Sequence, residues 1–220
     1  MKKRKKHKFK SKIEAKRIKF PEEENIPWLS MLLDAYFIAD KGIALEINKR
    51  LRAGQSLACK KGCSSCCHIH FTIPVYPLEV VGIYWFVIEK LIGPERDIVK
   101  KQLLEFKEKS PCPFLVNGAC TIHPIRPLAC RHFNVFNKPC EPGEDPYYTR
   151  KKDVLIPNEK YKTRALASML PFHGIKEPSE KKRQAKVGIL NTVVKNLHEI
   201  DWKNLALRMD GHRPPTGPRL

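Results

Sequence analysis

The chain has 220 residues, room for one domain with a real hydrophobic core and too few for two generous ones. Lys and Arg outnumber Asp and Glu by 42 to 23, and residues 1–20 alone hold eleven basic side chains against the single acid Glu14. No apolar run reaches the ~18–20 residues of a membrane span, and the first twenty residues contain no apolar stretch fit for a secretory signal, so a soluble, cytoplasmic protein is expected.

Residues 1–20 are too densely charged and too poor in apolar side chains to fold by themselves, and read as a disordered basic arm. Residues 21–209 read as one mainly α domain, a single small helical unit with an irregular cysteine centre stapled by metal. Residues 210–220, rich in Pro and Gly, read as a frayed C-terminal tail.

Within that domain, Trp28, Met31, Leu32, Ala35, Tyr36, Ala39, Ile43 and Ile47 recur at spacings of three and four, the stripe of an amphipathic helix that stops near Gly54. The stretch CKKGCSSCC, Cys59 to Cys67, has no periodicity and reads as a loop; His68 to Val75 follows as an extended segment. Tyr76-Pro-Leu-Glu opens a second helix, closed by Gly93-Pro94, whose centre VVGIYWFVI is the most apolar window of the chain. A third helix spans 94–109. Seven prolines between residues 110 and 146 permit turns and at most a short helix near 127–133. Two more helices are expected over 158–170 and 179–197, then a short turn from Asp201 to Met209. There is no internal repeat and no strand–helix alternation.

Eight cysteines dominate the chemistry: Cys59, Cys63, Cys66 and Cys67, then, after a gap of 44 residues, Cys112, Cys120, Cys130 and Cys140. In a reducing compartment such a set reads as metal ligands before it reads as disulfides. Thiolates are soft donors suited to zinc or iron–sulfur iron, and eight of them fit two four-coordinate sites or one large centre. Zinc sites with four cysteines are commonly built from paired Cys-x2-Cys knuckles, and only Cys63/Cys66 has that spacing, so the spacing leans toward an iron–sulfur cluster. Neighbours in sequence rarely aim at one small ion, so Cys66 and Cys67 are expected to face different metals or different corners of a cluster. Cys59-x3-Cys63-x2-Cys66 also has the spacing of radical S-adenosylmethionine enzymes, but a helix precedes it and Cys67 follows at once.

CKKGCSSCC together with PCPFLVNGACTIHPIRPLACRHF resembles the cysteine-cluster family of "putative zinc- or iron-chelating" proteins, with the pattern C-x3-C-x2-CC, C-P-x-L, G-x-C-x-I and R-P-x-x-C-R. The resemblance implies metal ligation by Cys59, Cys63, Cys66, Cys67, Cys112, Cys120 and Cys130, with Cys140 where many members have an eighth cysteine. Relatives usually carry an aromatic residue at the position of His123. Some members are similar to the cluster region of flagellin lysine-N-methylases, which keeps a protein-modifying enzyme as an alternative. The chain has no glycine-rich loop that would independently mark a nucleotide pocket.

Arg126 and Arg131 flank Cys130 and are expected to offset thiolate charge, with Lys60 and Lys61 as exposed counterparts. His68, His70, His123 and His132 lie near cysteines but are surplus to an eight-thiol site. Residues 2–19 offer cations for weak, nonspecific contact with nucleic acid, which leaves a zinc-stapled nucleic-acid-binding protein as a further alternative. No catalytic set stands out.

Overall fold

The computed structural model describes residues 12–211. The architecture is mainly α, with two small two-stranded sheets among the described residues. Helix α1 (Pro27–Arg52) starts on a proline, which gives up no helical hydrogen bond there, and buries Leu29, Leu32, Leu33, Tyr36, Ala39, Ile43 and Ile47 along one side. It lies at the centre of the domain, against α3 (Pro77–Glu89), α5 (Leu128–His132) and, most extensively, α7 (Glu159–Met169). No helix among the described residues is long and apolar enough to cross a membrane.

Two glycines set how closely these helices approach. A Cβ at Gly42 would stand 2.5 Å from the Tyr161 Cβ, and one at Gly82 would stand 2.3 Å from Cδ2 of Leu32. The first neighbour is fixed to its backbone and the second is the movable end of a side chain. Gly42→Ala is therefore expected to destabilise the domain by about 1–3 kcal/mol despite its better helix propensity, and Gly82→Ala by less. Urea unfolding of the two variants checks this, and a neutral Gly42→Ala would contradict the close approach of α1 and α7.

The run from Cys59 is not wholly a loop: α2 (Ser65–Ile69) is a short helix that carries Cys66 and Cys67. Strand β1 (Pro74–Val75) leads into α3, and α4 (Gly93–Leu104) ends earlier than its charged pattern implies. Strands β2 (Leu115–Val116) and β3 (Ala119–Cys120) form a hairpin closed by Asn117 and Gly118, both at positive φ (50° and 74°), as a two-residue turn of this kind requires. After α5 come α6 (Pro146–Thr149) and α7. Helix α8 (Pro178–Val187) stops where Gly188 turns left-handed at φ 74°, well short of Leu197. The continuation forms β4 (Lys195–Asn196), which pairs antiparallel with β1, while the Leu197 amide donates to Ile73 O at 2.8 Å. Helix α9 (Trp202–Arg208) returns Trp202 to the core, edge-on to Phe114 with ring centroids 5.0 Å apart.

Residues 12–20 lie against α1. Both backbone polar groups of Ile13 bond the buried Asn48 side chain (3.0 and 2.7 Å), Arg17 pairs with Glu23 and Asp34, and Phe20 is buried against Trp85 and Phe86. Residues 1–11 of the expected arm and 212–220 of the expected tail lie outside the described residues.

Candidate metal centre

The two cysteine segments meet although α3 and α4 separate them in sequence. The Cys112 amide donates to Cys67 O at 2.8 Å, joining the end of one segment to the start of the other. The Ala58 amide donates to Val135 O at 2.8 Å, and the Val135 amide returns a bond to Cys59 Sγ at 3.2 Å. Gly62, at φ 83°, turns the loop between Cys59 and Cys63. The hairpin sets Cys120 beside Leu115, and α5 carries Cys130.

All eight cysteines are free thiols, ranging from exposed Cys63 to buried Cys112. Their mutual electrostatic influence sorts them. Cys59 is affected by Cys63, Cys140 and Cys66, and Cys140 by Cys63 and Cys66. Cys112 is affected by Cys120, Cys130 and Cys66, and Cys130 by Cys66 and Cys120. Cys66 thus influences Cys59 and Cys140 as well as Cys112, Cys120 and Cys130. Its own side chain hydrogen-bonds to Cys67.

Six of the thiols hold their protons tightly. Burial pushes Cys59 up to about 11 and raises Cys112, Cys120, Cys130 and Cys140 as well; Cys66 is raised by the Cys67 hydrogen bond first and by burial second. Opposing that, backbone N–H groups of Val135, Phe114 and Ile122 bond to Cys59, Cys112 and Cys120 respectively and favour the thiolate. Such N–H···S bonds stabilise metal-bound thiolate as well. Among the described residues, no three His, Cys, Asp or Glu side chains are grouped as ligands of one ion. The donor set therefore fits a soft metal by its chemistry, and not as a cage already closed around an ion.

Positive charge surrounds the thiols. Arg126 and Arg131 lie near Cys120, and Arg150 near Cys140. Arg131 is 2% exposed, donates to Asp40 (2.8 Å), Arg126 O (2.9 Å) and Pro124 O (2.5 Å), and stacks 4.0 Å from the Tyr36 ring centroid. Arg150 ties the Cys140 loop together by bonding Glu144, Asp153 and the carbonyls of Phe136 and Pro139.

The sequence reading did not single out Glu79. It is fully buried, one carboxylate oxygen accepting the Tyr76 amide at the start of α3 (3.0 Å) and the other the Leu128 amide at the start of α5 (2.7 Å). Burial raises its carboxyl to about 7 against the opposing effect of those two donors and Arg131. The available signal was weak: a Glu three residues after the start of a helix is an ordinary capping residue, and nothing local announces a second helix end.

The histidines fall apart. His70 lies 3.4 Å from Asp145 and edge-on to Phe133, with its amide bonded to Cys66 O. His123 faces Arg126, His132 is lowered to about 4 by burial and then by Lys162, and His68 is exposed. Lys60 and Lys61 are exposed in the Cys59–Cys63 loop.

Fold and site together describe a mainly helical protein with a cysteine-rich centre. Residues 58–155, which contain all eight cysteines, match the family model described as "Putative zinc- or iron-chelating domain". Searches among curated proteins and among solved structures returned no match.

Proposed function

We propose that the protein chelates iron, as an iron–sulfur cluster, or zinc through up to eight thiolates, and that the metal joins the two halves of the domain in a structural or electron-transfer role. The observation that supports this reading is the convergence of thiols from both segments on Cys66. In this reading Cys59, Cys63 and Cys140 hold one side of the centre, Cys112, Cys120 and Cys130 hold the other, and Cys66 and Cys67 lie between them. A resident metal would keep these sulfurs as thiolates, and the nearby guanidinium groups would offset their charge. Each raised thiol must give up a proton on binding, so affinity is expected to rise with pH.

The experiment is anaerobic purification followed by metal and acid-labile sulfide analysis. Iron with a matching amount of sulfide and absorbance near ~400 nm supports the cluster, and zinc without sulfide supports the structural site. A fully folded chain with neither metal, which fails to take up either one on reconstitution, would overturn the reading.

A further inference from the structure

We propose that the groove between residues 13–18 and α1, closed at one end by Arg126, binds a small organic carboxylate with an apolar body. The groove has a volume of about 300 Å³. Its floor is aliphatic, from Ile43, Ala44 and Ile47 of α1, with Ile13 and Ile18 on the overlying segment. Its far end is cationic, from Arg126 and Arg131, with His123 beside them.

The charges at that end do not balance. Asp40 is the carboxylate present, and its Oδ2 accepts from Arg131 at 2.8 Å. Arg126 has no hydrogen-bonded carboxylate among the described residues; its Nη1 contacts His123 Nε2 at 2.5 Å and His123 O at 3.3 Å. Burial and the neighbouring Arg131 both oppose the Arg126 charge, as expected where two guanidiniums share one acid. The other acid on the groove, Glu14, is exposed and paired with Lys12. A guanidinium held half-buried without its anion is a carboxylate receptor, since two parallel N–H groups match the two oxygens. The aliphatic floor then selects ligands that carry carbon behind the carboxylate.

Two other fillings fit less well. Residues 1–11 hold no acidic side chain and would bring further positive charge to Arg126. The thiols of Cys120 and Cys130 also feel Arg126, so the guanidinium could serve only to offset charge at the metal centre. That role would leave no carboxylate binding to detect.

The test is a ¹H–¹⁵N correlation titration of the full, metal-loaded chain with hexanoate, its neutral isostere hexanamide, acetate and inorganic phosphate. Expected are saturable shifts from hexanoate at millimolar concentrations, in amides of residues 13–18, 40–47 and 123–134. A charged hydrogen bond is worth about 1.5–3 kcal/mol, so hexanamide on the wild type, and hexanoate on Arg126→Gln, should each bind at least about tenfold more weakly. Acetate should also be weaker, through loss of apolar contact. The hexanamide comparison needs no variant and stands if Arg126→Gln folds poorly. Absence of saturable shifts, equal binding of acid and amide, or phosphate binding in place of hexanoate would each overturn the proposal, and none of these bears on the metal content that tests the chelation reading.

Discussion

Cys66→Ser is expected to lose more metal than Cys140→Ser, and to lower the thermal midpoint by about 10–20 °C. Cys66 influences thiols of both cysteine segments, whereas Cys140 is coupled to Cys59, Cys63 and Cys66, all in the first segment. Serine supplies a hard oxygen that soft metals bind poorly. Structural zinc sites carry about 10–16 kcal/mol of apparent binding free energy that is linked to folding. Forfeiting about 5 kcal/mol of such linkage gives a midpoint shift of that size for a chain of this length. Metal per chain by elemental analysis and melting by circular dichroism provide the readout. Equal metal loss in the two variants would deny Cys66 its place between the two sides of the proposed centre, and full metal retention in Cys66→Ser would remove it from the ligand set.

The second large effect is at Glu79. Glu79→Ala is expected to cost about 3–5 kcal/mol of stability, because it strands the Tyr76 and Leu128 amides in a dry interior and leaves a cavity behind. Glu79→Gln should be milder, since its amide still offers one acceptor oxygen, though its NH₂ must face a backbone donor. The cost matters for the site because Leu128 begins the five-residue helix that carries Cys130. Urea unfolding in the presence of chelator isolates the fold contribution, and metal content reports the effect on the site. A loss below about 1 kcal/mol for Glu79→Ala would show that the two helix ends find other partners.

Much of the fold was legible from periodicity and punctuation. The stripe of α1 and the Pro–Gly bracket of α3 appear where spacing and turn chemistry put them, because both patterns are local. The misses have local causes as well. Gly188 could have been read as a helix stop, but the apolar residues Leu190, Val194 and Leu197 continued the helical spacing beyond it. In the structure that stretch instead forms a turn and then a strand against β1. Asn117-Gly118 is a strong short hairpin signal masked by the surrounding prolines, and it is what sets Cys120 beside Leu115. The position of Arg131 next to Cys130 is plain in the sequence. Its burial on Tyr36 and its bond to Asp40 could not be read from α1, ninety residues upstream.

The sequence by itself determined the kind of chemistry: eight soft donors in two clusters, a family pattern around them and a helical frame to hold them. Those properties depend on residue identity and on spacing over a few residues, where the backbone limits how far apart side chains can lie. Only the tertiary structure decided that Cys66 comes within electrostatic reach of thiols from the distant segment, and that one buried carboxylate closes the ends of two helices. Across the 44 residues between Cys67 and Cys112 the chain imposes almost no distance of its own. That separation is set by packing, as α3 and α4 fold onto the core and return Cys112 to the carbonyl of Cys67.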